Sequence, residues 1–257
     1  LKSESSLQLV TFSEPPWHLL EVESIFDEPK QDFLHVWRIP LDSASADQTK
    51  LKSLLSLDES KRLHQFAFER LKRNFVIRRA VRRKIISQYA NARPGDLKFE
   101  AMSNGKPQLS SNSKGVRFST SHSEDSALVC MSNSPVGIDI ELNRPLSDLE
   151  RVSRECLSPQ ELSMWTRLST SDRQSTFYEF WTCKEATLKL LGHGLSKSMQ
   201  SIEVDFNSVE TSHNFNVLFE NQNYSGYIFK PDASYIAAVC AKRITAISFF
   251  DGAKLLE

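Results

Sequence analysis

The sequence predicts a mixed α/β fold with weak internal symmetry, each half pairing one long helix with several mostly antiparallel strands. Two long stretches read as helices. One lies in the basic segment from Lys61 to Lys84. The other runs from Asp172 to Leu191, where Phe177, Trp181, Leu188 and Leu191 recur at spacings of three, four and seven and draw one apolar stripe. Short alternating runs bounded by Gly, Pro and Asn read as strands, and Val136–Leu142 is the clearest. The turn at Asn133-Ser-Pro135 puts one long helix on either side, so the expected subdomains are 31–135 and 136–257.

In chain order, residues 1–30 are polar, with Pro15-Pro16 and Pro29, and are expected to form an extended or poorly ordered lead-in. Phe33–Ile39 is a strand that Pro40 closes, Ser45–Leu55 a helix, and Asp58-Glu-Ser60 a helix start. Pro94-Gly95 ends the basic helix. A short strand at Leu97–Glu100, a turn at Asn104-Gly-Lys-Pro107 and strands at Phe118–His122 and Ala127–Met131 follow. In the second half, helices are expected at Ser147–Cys156 and Pro159–Leu168. Ser158-Pro-Gln-Glu161 gives the latter a capping box with Pro at its first position. Gly192 ends the long helix, and strands follow at Ile202–Phe206, Phe215–Phe219, Tyr227–Phe229, Tyr235–Cys240 and Ile244–Phe249.

Composition narrows the function. Formal charge is zero over 257 residues, so no global field recruits nucleic acid or a membrane. Cys130, Cys156, Cys183 and Cys240 show no CxxC spacing, which argues against a disulfide framework or thiolate zinc site and suits a reducing compartment. No apolar run approaches the ~20 residues that span a bilayer, and no signal-peptide pattern is visible. The expectation is a cytoplasmic protein that binds neither membrane nor nucleic acid.

Three carboxylates stand out. On the strand Val136–Leu142, Gly137, Asp139 and Glu141 share one face, and two positions along a strand are roughly 6.6–7 Å, so the acids stand side by side. Glu185 lies four after Trp181 and three before Leu188, on the inner face of its helix. A buried carboxylate needs a partner. A Glu185–Lys189 pair on a helix surface and a strand with two acids on its wet face are the plain alternatives. Oxygen-only ligands in this number suit Mg²⁺ or Mn²⁺. The segment from Lys61 to Lys84 holds ten of the 32 Lys and Arg residues and one acid, Glu69. Lys72, Arg79 and Arg83 fall on one helical face as a candidate phosphate cradle, although a solvated basic face reads the same way.

Gly137-Ile-Asp-Ile-Glu141, followed about forty residues later by Phe180-Trp-Thr-Cys-Lys-Glu-Ala-Thr-Leu-Lys189, resembles the paired signature of Sfp-type 4′-phosphopantetheinyl transferases. Gln65–Arg70 through Arg79 and Arg83 is similar to that family's basic N-terminal region. Gly105-Lys-Pro107 matches its GKP turn, Ser121-His-Ser123 its S-H-S segment, and Gly192-His-Gly-Leu195 its G-x-G-L. The resemblance implies a pseudo-dimer of two subdomains, each a small sheet on a long helix, with the active site in the cleft between them. It implies transfer of the phosphopantetheine arm of coenzyme A to a serine of an acyl or peptidyl carrier protein by a monomer, releasing adenosine 3′,5′-bisphosphate. Asp139, Glu141 and Glu185 would hold Mg²⁺ or Mn²⁺ on the coenzyme pyrophosphate. Lys106 and Pro107 would flank the adenine, with Ser121 and His122 near the phosphates. Arg62 would face the 3′-phosphate, and Arg79, Arg83 and Lys184 would add to the coenzyme site. Glu185, or a water on the metal, would take the proton of the carrier serine. Lys189 would neutralise the departing bisphosphate.

Two rivals fit less well. A metal-dependent nuclease often carries Lys two positions after the second acid, where Asn143 stands here. A non-enzymatic nucleic-acid-binding module would use the basic helix but leaves Asp139, Glu141 and Glu185 unexplained. No GxxxxGK[ST] occurs, so a P-loop enzyme is not expected.

Overall fold

A computed structural model describes residues 14–18, 33–102, 105–111, 114–192, 197–206 and 213–257. Its elements are β1 (Leu34–Pro40), α1 (Gln48–Lys52), α2 (Leu57–Leu63), α3 (Glu69–Ala90), β2 (Phe99–Ala101), β3 (Pro107–Leu109), β4 (Arg117–Ser123) and β5 (Ser126–Ser132). Then come β6 (Val136–Leu142), α4 (Leu149–Cys156), α5 (Pro159–Thr166), α6 (Thr170–Leu191), β7 (Glu203–Asp205), β8 (Asn214–Phe219), β9 (Gln222–Phe229), β10 (Tyr235–Ala241) and β11 (Ser248–Asp251). One sheet has the order β11-β1-β5-β4 and the other β6-β10-β9-β8-β7; β2 and β3 form a separate hairpin.

The alternation along the strands builds the layers. On β5, Ala127, Val129 and Met131 pack with Val76, Ile77 and Ala80 of α3, while Leu128 and Cys130 face the other sheet. On β10, Ile236, Ala238 and Cys240 pack under α6, while Ala237 and Val239 face the first sheet together with Val136, Ile138 and Ile140 of β6. Each half is thus a sheet on a 22-residue helix, α3 in one and α6 in the other, with the sheets back to back. This is the two-part α/β architecture expected.

The basic segment, expected to hold at least one long helix, holds two helices, and other details depart from the expectation. The capping box of Ser56 and Glu59 opens α2, and Phe66 then turns to pack on Phe75, with ring centroids 5.1 Å apart, before the chain re-enters helix at Glu69. The helix expected at Ser45–Leu55 is only the five residues of α1. Of the strand expected at Ile244–Phe249, only its end is extended. β11 pairs in parallel with β1, so the last strand crosses back onto the first half's sheet. Most of the lead-in lies outside the described residues, but 14–18 are held. Trp17 packs on Phe249 and Phe229 and donates to the Pro231 carbonyl, and Arg38 lies over its ring. Most of the expected G-x-G-L segment, and Asn104 of the expected turn, also lie outside the described residues.

Candidate active site

The site forms where β4, the edge of one sheet, meets β6, the edge of the other. Alternate residues of a strand share a face, so Ser119, Ser121 and Ser123 form a row that faces β6. The Ile138 amide donates to Ser119 Oγ (3.2 Å) and the Leu142 amide to Ser123 Oγ (3.1 Å). Ser121 Oγ donates to Asp139 Oδ1 (2.8 Å) and Ser123 Oγ to Glu141 Oε2 (3.0 Å). Hydroxyls thus join the two sheets where no backbone ladder does, and they aim the acids of β6.

The far side of β6 lies under α6. Gly137 makes that approach possible: a Cβ there would sit 1.9 Å from the Ala186 carbonyl oxygen and 2.4 Å from the Leu190 nitrogen. The face of β6 read as potentially wet is therefore packed, and Asp139 is 3% exposed. Ala186 and Leu190 directly follow Glu185 and Lys189, so the helix turn seated on Gly137 is the one that carries both functional side chains. Lys189 Nζ donates to Asp139 Oδ1 (2.6 Å) and to Ser121 Oγ (2.8 Å).

Asp139, Glu141 and Glu185 line a cleft of about 480 Å³ with Trp181, Lys189, Ser121, His122 and Pro107. Burial, and then the Asp139 charge, push Glu141 up to about 6, while the hydrogen bond from Ser123 and the Lys189 charge pull the other way. The same two causes raise Glu185, against the pull of Lys189. Among the described residues, Asp139 Oδ2 is buried with no hydrogen-bond partner. Like carboxylates crowded around an orphaned acceptor are a donor set that fits a hard divalent cation. They are not drawn in around one point: among the described residues no three Asp, Glu, His or Cys side chains are placed to hold an ion, and the Lys189 ammonium stands at Asp139 instead.

Opposite the carboxylates, α3 supplies Arg78, Arg79 and Arg82 to the cleft wall. Burial, and then the neighbouring Arg79 and Arg62, pull Arg78 down to about 10. Burial pulls His122 down to about 4, helped by Arg78 and Lys189, so the imidazole is neutral at pH 7. Among the described residues the Nε atoms of Arg78, Arg79 and Arg82 are buried without acceptors, while the Arg82 Nη2 pairs with Glu59 Oε1 (3.0 Å). Among the described residues neither Arg78 nor Arg79 has a carboxylate in ion-pair range. Such a wall is short of negative charge, which phosphate oxygens supply. A second hollow of about 560 Å³ shares Arg79, Arg82 and Pro107 with the cleft and continues to Arg62 and Lys98.

Residues 42–134 match the family model described as 4′-phosphopantetheinyl transferase, N-terminal, and residues 135–240 match that of the 4′-phosphopantetheinyl transferase superfamily. The 4′-phosphopantetheinyl transferase HetI of Nostoc sp. is 37% identical over 182 residues, covering 70% of this chain and 76% of the relative. The chain belongs to the 4′-phosphopantetheinyl transferase family. The Sfp enzyme of Bacillus subtilis is 24% identical over 197 residues, covering 76% of this chain and 85% of the relative, and the Bacillus subtilis enzyme ffp is 26% identical over 221 residues, covering 82% and 94%. As an Sfp-type transferase, the protein moves the phosphopantetheine arm of coenzyme A onto a carrier protein.

Of the transferase residues expected from sequence, the cleft gathers Asp139, Glu141, Glu185, Lys189, Ser121, His122, Pro107 and Arg79, and Arg62 lines the adjoining hollow. Others are placed differently. Lys184 is fully buried on the opposite side of α6. Its ammonium sits 2.6 Å from Glu161 Oε2 and donates to the Met199 and Ile202 carbonyls, so it holds the segment after α6 rather than coenzyme A. Arg83 touches the adjoining hollow, but its guanidinium is committed to Glu59 and to the Pro94 and Leu97 carbonyls. Lys72 pairs with Glu69 at 2.7 Å instead of joining a cradle. The Lys106 ammonium turns away from the cleft toward the carbonyls of Val136 and Lys189. Sequence reading missed Arg78, Arg82, Ser119 and Trp181. For Ser119 the signal was present in the period-two serines of Phe118-Ser-Thr-Ser-His-Ser123.

Lys184→Met is expected to lower unfolding free energy by about 3 kcal/mol, because it leaves Glu161 charged and buried without its cation. Urea denaturation reads that loss. The KM for coenzyme A should stay at the wild-type value, since Lys184 does not reach the cleft.

Proposed function

We propose that Asp139, Glu141 and Glu185 hold Mg²⁺, with Mn²⁺ able to substitute, against the coenzyme A pyrophosphate. Bound there, the ion would neutralise charge that develops on the pyrophosphate as the phosphoryl group departs. The observation that carries this reading is the opposition, across one cleft, of three carboxylates to Arg78 and Arg79, which among the described residues have no carboxylate partner. Arg78 and Arg79 bind phosphate oxygens, and His122, being neutral, donates a single hydrogen bond to one. Arg62 faces the 3′-phosphate in the adjoining hollow, and Pro107, shared by both spaces, forms the wall beside the adenine.

Glu185 accepts the proton of the carrier serine. It projects into the cleft beside Asp139 and Lys189, on the helix turn seated against the metal-binding strand, which supports this role. Lys189, held beside the same site by Asp139 and Ser121, neutralises the departing bisphosphate. The enzyme acts as a monomer. All four cysteines are buried thiols, which supports a cytoplasmic setting, and among the described residues no helix is long and apolar enough to cross a membrane.

Incubation with an apo carrier protein, coenzyme A and Mg²⁺ should add the mass of one phosphopantetheine to the carrier. EDTA should abolish the gain and Mn²⁺ should restore it. Mg²⁺ should raise the thermal transition of the wild type but not of Asp139→Asn. No gain with any of several carriers, together with cleavage of DNA, would replace this reading with the phosphodiesterase one.

A further inference from the structure

The Lys106 ammonium is part-buried between the two halves and points away from the cleft. Its Nζ donates to the Lys189 carbonyl (2.6 Å) and to the Val136 carbonyl (2.8 Å). The Lys189 carbonyl belongs to the last turn of α6, where four carbonyls lack helical donors. The Gly192 amide takes that of Leu188, and Lys106 takes the next, placing a cation at the negative end of the helix. The Val136 carbonyl opens the strand that carries Asp139 and Glu141. One side chain from the first half therefore grips both acid-bearing elements of the second.

Lys189 answers in the opposite direction. Its main chain is held by Lys106, while its side chain reaches back to Ser121 on β4 of the first half. The backbone of Lys189 is thus fixed from one side and its ammonium from the other. Pro107, next in sequence to Lys106, lines the cleft, so the same anchor sets the coenzyme wall against the end of α6.

We propose that Lys106 is a positioning residue that acts through Lys189, setting the ammonium at its working place relative to Asp139, and that its side chain does not bind coenzyme A. A misplacement of about 1 Å is enough to cost on the order of a hundredfold in rate. The inference rests on the transferase reading, which wild-type turnover in the same assay reports separately.

The test is a double-mutant cycle of Lys106→Met and Lys189→Met, with kcat and the KM for coenzyme A measured for each variant. Lys106→Met alone should lower kcat by about ten- to a hundredfold and leave the KM nearly unchanged. In the Lys189→Met background it should have almost no further effect on kcat. Additive losses, or a loss carried by KM, would overturn the proposal in favour of an independent role or a coenzyme contact. Should Lys106→Met not fold, Lys106→Gln, which keeps amide donors, carries the same cycle. Failure of both to fold would make the tie structural and would also overturn the proposal.

Discussion

Glu185→Gln is expected to lower kcat for phosphopantetheinyl transfer about a thousandfold, within the range a positioned general base contributes, and to leave the thermal transition near its wild-type value. The two halves of that expectation come from the same surroundings. Glu185 projects into the cleft from α6, and its neighbours there are Asp139, which repels it, and Lys189, which attracts it. Removing the charge relieves one interaction and loses the other, so folding is little affected. On the proposed mechanism, the chemistry loses its proton acceptor and one oxygen of the carboxylate set. Stopped assays on the carrier, beside a melt of the same preparation, separate the two. A loss of kcat below about tenfold would show that Glu185 is not the base. A collapsed melt would show that it is a structural group.

The elements that carry the site were legible because their local pattern matched their tertiary role. Val136–Leu142 alternates cleanly and is β6, residue for residue. The apolar stripe and Gly192 bounded α6 to within two residues. Long cationic side chains were less legible. Lys72, Arg79 and Arg83 share a helical face, but the face turned to the cleft is that of Arg78, Arg79 and Arg82, and it depends on how α3 lies on its sheet. Likewise Lys184 and Lys106 sit in motifs that suggest phosphate contacts, yet each reaches backbone carbonyls far along the chain, 15 and 18 residues away for Lys184 and 30 and 83 for Lys106. A flexible four-carbon stem permits either outcome, and only the packing decides between them. The parallel pairing of β11 with β1 was hidden for a related reason, since strand pairing across 200 residues leaves no local mark.

Gly137→Ala is the substitution expected to do most damage for the fewest atoms. The added methyl would meet the Ala186 carbonyl oxygen at 1.9 Å and the Leu190 nitrogen at 2.4 Å, both backbone atoms of α6 that no rotamer change can move aside. Either the helix lifts from β6 or the strand bends. Overpacking of this kind costs about 3 kcal/mol. Because Glu185 and Lys189 immediately precede the two obstructing residues, the same displacement draws both away from Asp139, and kcat is expected to fall about a hundredfold even in the molecules that fold. Gly105→Ala is the control. Gly105 has φ +82° with nothing among the described residues within 4 Å of an added Cβ, so that substitution strains its own backbone, at about 1 kcal/mol. Urea unfolding and turnover measured on both variants distinguish a steric seat from a generic glycine effect. If Gly137→Ala cost no more than Gly105→Ala, α6 would not rest on β6, and the juxtaposition of Lys189 with Asp139 would need another cause.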